Sequence, residues 1–307
     1  MKLSIVSTLY RSAPGLAEFH RRAMAAGEAL AAEVEMVLVD DGSPDESLAL
    51  ALEIQARDPR VLVVELARNF GHHRAMMTGL AHATGELVFL IDSDLEEEPE
   101  LLARFHETLE SDGWDVVYGV QAARRGGWFE RVSGQAFYGL VDLVSEHPLP
   151  RNLMTVRLMR RAYVDALVAH QDRAFVIAEL WLATGFRQTS LEVRKLALSP
   201  TTYSVGRRLR MAIEHITTTS TRLLYLIFYM GLGISLLAAL AMAWLLLRYL
   251  LHGVAADGWA SLFVSVWFLG GVTVLILAVI GLYVANILVE TKRRPYTVVR
   301  AVHRPRG

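Results

Sequence analysis

The 307-residue chain is long enough for one large domain or two ordinary ones, and its 31 Lys+Arg against 32 Asp+Glu leave a net charge of −1. That balance argues against nucleic acid as a partner, and the absence of cysteine excludes a disulfide framework, a thiolate metal site and a cysteine nucleophile. With 53% hydrophobic residues and a mean hydropathy of +0.32, the composition is not that of a plain soluble enzyme, and the charge lies mainly before residue 223 and after residue 289.

"MKLSIVSTLY" is too short in its apolar run for a secretory signal and predicts a first strand over 3–7. Further apolar, β-rich runs fall at 34–39, 61–66, 86–91 and 115–120, with helical patterns over 14–33, 72–83 and 99–111 between them. Short strands alternating with helices predict an α/β fold, a mostly parallel sheet flanked by helices. Pro14 and Pro99 sit where a helix's first turn tolerates proline. Ser43 or Asp45 is expected to cap the helix after Gly42. His72, His73 and His82 lack the spacing of zinc ligands, and with Met76 and Met77 they read as packing residues of one helix.

Ligands bind such sheets outside the carboxyl ends of the strands. Here the first strand ends in "STLYRS", the second in "DDGSPDES" and the fourth in "DSDLEEE", so carboxylates, hydroxyls and an aromatic converge on one cleft. Alternation puts Asp92 and Asp94 on one side, where they repel unless a hard cation such as Mg²⁺ or Mn²⁺ lies between them. A helix N-terminus at Asp94, with Glu96 to Glu98 favoured by the dipole, explains part of the acidic run but not Asp92. Asp40 and Asp41 exceed what a cap requires, and one of them can accept from a base N–H or a ribose hydroxyl.

The C-terminal third is different material. Residues 203–222 place Leu209, Ile213 and Ile216 at helical spacing beside arginines, the pattern of an amphipathic helix on a membrane surface. The runs 223–251 and 259–289 each exceed the roughly 20 residues that cross a bilayer, and the short link between them predicts a transmembrane hairpin. Arg207, Arg208, Arg210 and Arg222 precede it; Lys292, Arg293, Arg294, Arg300, Arg304 and Arg306 follow it in a basic tail over 291–307. The positive-inside rule then puts the catalytic domain (1–200) and both termini in the cytoplasm of a bacterial-type plasma membrane. Two buried helices of a soluble core are the alternative.

"SIVSTLYRSA", "VLVDDGSPDES", "ELARNFGHHRAMMTGLAHATGE" and "VFLIDSDLEEEPELL", in that order, resemble the family 2 glycosyltransferases of GT-A fold, specifically the polyprenyl-phosphate (dolichol-phosphate) sugar synthases with a C-terminal membrane hairpin. The resemblance spans essentially the whole chain. It implies an inverting, metal-dependent transfer of a sugar from a nucleotide-sugar donor to a polyprenyl phosphate, and a homo-oligomer. It also implies that Thr8, Leu9 and Tyr10 line the nucleobase pocket with Asp40 and Asp41, that Arg68, Asn69 and Ser93 lie at the donor, and that Asp92 and Asp94 hold the metal. Trp128, Arg131 and Arg157 match positions expected near the acceptor phosphate.

The match has departures. Thr155 stands where many relatives carry an Asp, so an acceptor-side base is missing there, and Glu179 is a candidate substitute. "TTY" at 201–203 replaces a "SKY" segment and removes a lysine. These departures keep two rivals in view: a non-catalytic membrane subunit that recruits a partner, and a transferase with a protein or glycan acceptor.

Overall fold

In the computed structural model, which describes residues 1–121, 153–170, 172, 175–194, 222–252 and 258–304, strands β1 (Lys2–Leu9), β2 (Glu33–Asp40), β3 (Val61–Leu66), β4 (Leu87–Leu90), β5 (Val116–Gln121), β6 (Leu153–Arg160), β7 (Gln188–Val193) and β8 (Val299–His303) form one sheet. The order is β7-β5-β6-β4-β1-β2-β3-β8. Strands β1 to β4 pair in parallel, as predicted. On the flanks β6 runs antiparallel to β4 and β5 and β8 antiparallel to β3, while β7 runs parallel to β5. The sheet is therefore mixed rather than a plain doubly wound one.

Helices α1 (Leu16–Glu28), α2 (Ser47–Arg57) and α4 (Leu101–Ser111) cover one face; α3 (His72–His82), α5 (Arg161–Val168) and α6 (Ile177–Ala183) cover the other. Because side chains alternate along a strand, β1 sends Leu3, Ile5 and Leu9 into the first layer and Val6 into the second. Burial on both faces is why the central strands read as continuous apolar runs. The predicted helices exist but are shorter. Pro14 falls in a 3₁₀ turn over Ala13–Gly15, and Pro99 precedes α4. Residues Leu95 to Pro99 are not helical, so Glu96 to Glu98 precede α4 rather than form its first turn.

The stretch expected to be a basic tail contains β8. Its Val302 pairs with Val64 and its Ala301 with Glu65; Arg300 and His303 lie 3.3 and 3.0 Å from the Glu65 carboxylate. Just before the strand, Ala67 donates to the Val298 carbonyl at 2.9 Å and Thr297 bonds Thr78 at 2.8 Å.

Gly42 turns the chain at the end of β2 with φ +60, and a Cβ there would meet the backbone of Arg68 and Asn69 at 2.5 Å. Gly42→Ala combines a left-handed backbone with a clash against a loop that cannot easily yield. A loss of about 2 kcal/mol or more in urea unfolding is the expected result; an unchanged midpoint would contradict this account of the turn.

A second unit includes the described residues 222–252 and 258–293. Within it, α7 (Arg222–His252) has 31 residues and α8 (Trp259–Thr291) has 33. Large apolar side chains stand exposed on both, Leu237 at 68% and Trp267 at 69%, which a soluble core would have covered. Among the described residues, the segment Ser265–Thr291 is long and apolar enough to cross a membrane. The expected amphipathic helix over 201–222 lies outside the described residues up to its last position, and so do Trp128 and Arg131.

Candidate active site

The loops after the four parallel strands meet at one edge of the sheet, and each contains a residue with positive φ: Arg11 (57), Gly42 (60), Gly71 (99) and Leu95 (59). Arg11 and Leu95 pay for this conformation with local strain, held in place by bonds between the loops. Asp45 is the centre of those bonds. It accepts from the Ser47 hydroxyl at 2.6 Å, the Ser47 amide at 3.2 Å, the Ala13 amide at 3.2 Å and the Ser43 hydroxyl. Burial works against its charge, and these bonds more than offset it, bringing the carboxyl down to about 2. Of the two residues expected to cap the helix, Asp45 accepts from the Ser47 amide at its start, while Ser43 accepts from the Arg11 amide at 2.8 Å.

The acidic pair projects from the end of β4. Ser93 turns inward, its hydroxyl 3.0 Å from both the Thr8 carbonyl and Ser12 Oγ, while Asp92 is half-buried and Asp94 exposed. Asp94 accepts from the Glu96 amide at 2.9 Å, a capped turn without a following helix. Thr8 is buried at the last turn inside β1, and Tyr10, 48% exposed, offers an open ring at the strand's end. Arg68 and Asn69 are exposed on the loop after β3, with the Arg68 guanidinium 4.1 Å above the Phe70 ring.

Three side chains expected at the site do other work. Leu9 is fully buried in the first core layer, because it shares a strand face with Leu3 and Ile5, and only its backbone reaches the site. Asp41 accepts from the amides of Phe70 at 2.7 Å and Gly71 at 3.0 Å, so it shapes the loop after β3. Arg157 is 1% exposed, lies on the Trp181 ring at 2.9 Å and donates to the carbonyls of Thr155 and Met154. Burial pushes its pKa down to about 9. It pairs opposite Leu90, which puts Thr155 beside the end of β4 but turns the Arg157 side chain into the sheet layer. Glu179 is half-buried in the first turn of α6.

Asp40 is 2% exposed beside Glu65 and Asp41, and burial first, then these charges, raise its carboxyl to about 6. Its native form therefore holds a proton more tightly than the unfolded chain. Stability from this group is full below about pH 4 and is lost as pH rises through about 6, on the order of 2 kcal/mol. Asp40→Asn should raise the melting temperature at pH 7.5, flatten the profile between pH 4 and 6, and weaken nucleotide binding. A variant less stable than the parent at pH 7.5 would refute the assignment.

His72, a packing residue by its sequence pattern, lies instead at the site. The ring lies between β1 and β4, with Nδ1 2.9 Å from Thr8 Oγ1 and Nε2 3.3 Å from Asp92 Oδ1. Burial opposes a charge on it, and the carboxylates of Asp92, Asp41 and Asp94 outweigh this and raise its pKa. The available signal was position: His72 follows the third strand's end loop, at the same edge as the acidic motifs.

Two carboxylates at an open strand end suit a hard divalent cation that takes its other positions from water and diphosphate oxygens. Among the described residues no cluster of three His, Cys, Asp or Glu groups forms a ready-made metal cage.

Comparison with known proteins gives the family of the chain. The family model described as "Glycosyl transferase family 2" matches residues 4–175. A Mycobacterium tuberculosis chain named only as a candidate glycosyltransferase is 46% identical over 99% of this chain and 89% of its own length. The prophage bactoprenol glucosyl transferase homolog of Escherichia coli K12 is 30% identical, covering 98% of this chain and 99% of its own. The bactoprenol glucosyl transferase of Shigella phage SfII is also 30% identical, over 99% of each. With an α/β sheet that gathers its acidic loops at one edge, and a family match across more than half its length, the chain is a glycosyltransferase and belongs to glycosyl transferase family 2.

Proposed function

We propose that the chain transfers a sugar, with inversion at the anomeric carbon, from a nucleoside-diphosphate donor to a polyprenyl phosphate at the cytoplasmic face of the plasma membrane. The observation that carries this reading is the meeting of Asp92 and Asp94 with Thr8, Tyr10, Asp40 and Arg68 at one strand-end edge, in a chain similar end to end to bactoprenol glucosyl transferases. Tyr10 stacks the base, and Asp40 and Thr8 accept or donate to base and ribose. Asp92 and Asp94 hold Mg²⁺ or Mn²⁺, which when bound compensates the charge of the departing diphosphate. Arg68 adds a cation on the same side.

The acceptor is already an anion near neutral pH, so it needs placement more than a base. Thr155, where many relatives carry an Asp, fits that economy. Arg131 is assigned to the acceptor phosphate. Arg157 acts from beneath the edge through its field, and Glu179 orients the acceptor. The membrane hairpin is supported by β8. Both ends of the helical unit continue into one sheet, since β8 after α8 pairs with β3 before α7, and a chain that returns to its own side crosses an even number of times. With α8 as one crossing, α7 is the other.

Thermal stabilisation of the detergent-purified protein by UDP, GDP, TDP and CDP, each with and without Mn²⁺, tests the donor site; a ligand at 100 times its Kd adds about 2.7 kcal/mol. A metal-dependent shift with one nucleotide is expected. Sugar transfer stimulated by added polyprenyl phosphate, and not by protein or glycan, tests the acceptor. No shift with any nucleotide would favour a non-catalytic subunit.

A further inference from the structure

His72 has no part in the function proposed above, yet it touches two of that function's residues. It is the first residue of α3, and the direction in which α3 starts is set by the Asp41 carboxylate, which holds the amides of Phe70 and Gly71 just before it. The ring then spans the gap between the end of β1 and the end of β4, 2.9 Å from the Thr8 hydroxyl and 3.3 Å from the Asp92 carboxylate. Its side chain is 45% exposed, so one edge of the ring faces the cleft.

An imidazole engaged at both nitrogens by these groups donates Nε2–H to the Asp92 carboxylate, which only accepts, and bonds the Thr8 hydroxyl through Nδ1. The first bond orients a carboxylate that would otherwise rotate on an open loop. The second fixes the Thr8 hydroxyl against the ring. A side chain that hydrogen-bonds a metal-binding carboxylate from behind raises metal affinity by removing the cost of ordering it.

We infer that His72 is the positioning residue of the donor site, fixing Asp92 for the divalent cation and Thr8 for the nucleotide. The inference rests on the nucleotide-donor reading of the strand-end edge. It assigns three residues to one task in series: Asp41 sets the loop, the loop sets His72, and His72 sets Asp92.

The test is a Mn²⁺ titration at fixed nucleoside diphosphate, using whichever of UDP, GDP, TDP or CDP stabilises the parent, with thermal stabilisation as the readout. His72→Ala should raise the Mn²⁺ needed for half the effect by about 10- to 100-fold, with the ligand-free melting temperature unchanged. His72→Gln, whose amide reaches the Nε2 position, should restore most of the parent's response. His72→Asn, whose amide stays at the Nδ1 position, should not. Folded His72→Ala and His72→Gln proteins with the parent's Mn²⁺ requirement would overturn the inference. Rescue by Asn and not by Gln would overturn it too, because the effect would then belong to the Thr8 contact alone. A parent protein that no nucleotide stabilises at any Mn²⁺ concentration would bring down the donor-site reading itself, and this inference with it.

Discussion

Asp94→Ala is expected to abolish metal-dependent nucleoside-diphosphate binding and to lower sugar transfer by about 10³-fold, while leaving the protein folded. The asymmetry follows from where the side chain is. Asp94 is exposed at the end of a loop, and the bond it accepts from the Glu96 amide at 2.9 Å is worth about 1 kcal/mol to the fold. Its value to transfer in the proposed function is larger, because a divalent cation held there would act where negative charge develops on the departing diphosphate. Calorimetric titration of nucleotide with and without Mn²⁺, alongside a melting curve, separates the two effects. Metal-dependent binding that survives in the variant would remove Asp94 from the cation site.

Ending the chain at Tyr296 is the second large effect. It removes the bond between Thr78 and Thr297, the Ala67 amide's acceptor at Val298, the whole β8 edge, and the Arg300 and His303 contacts of Glu65. A loss of about 3 kcal/mol is expected, roughly 6 to 12 °C in melting temperature for a domain of this size. The damage should also reach function. Glu65 is paired opposite Asp40, and Ala67 begins the loop whose Phe70 and Gly71 amides bind Asp41. A truncated protein that melts within about 2 °C of the parent would show that β8 adds nothing to the sheet.

The parts of this fold that were legible in the sequence are those that strong local patterns enforce. The runs that became β1 to β5 carry dense apolar, β-branched residues because helices bury them on both faces. The acidic and hydroxyl motifs could be assigned to one edge because every parallel strand must end there. The strands that escaped notice lack such a pattern: interior β6, "LMTVRLMR", interrupts its apolar run with Thr155 and Arg157. β7, "QTSLEV", is half polar and β8, "VRAVH", is short and basic, as edge strands often are. Their pairing depends on partners 72 and more residues away in sequence, as the Val116 and Gln188 pair illustrates.

The sequence alone determined the family-like order of motifs, the parallel core, the acidic pair on an outward-facing loop, and the two long apolar helices, because each is written in composition or in a period of a few residues. Only the tertiary structure decided how the side chains at the edge divide their work. It showed that Leu9 serves the core, that Asp41 shapes a loop, that Asp45 joins two others, that Arg157 is buried and that His72 bridges Thr8 and Asp92. A side chain's role depends on which atoms lie within about 3 Å of it, and residues from four separate loops reach that distance only after the sheet has formed.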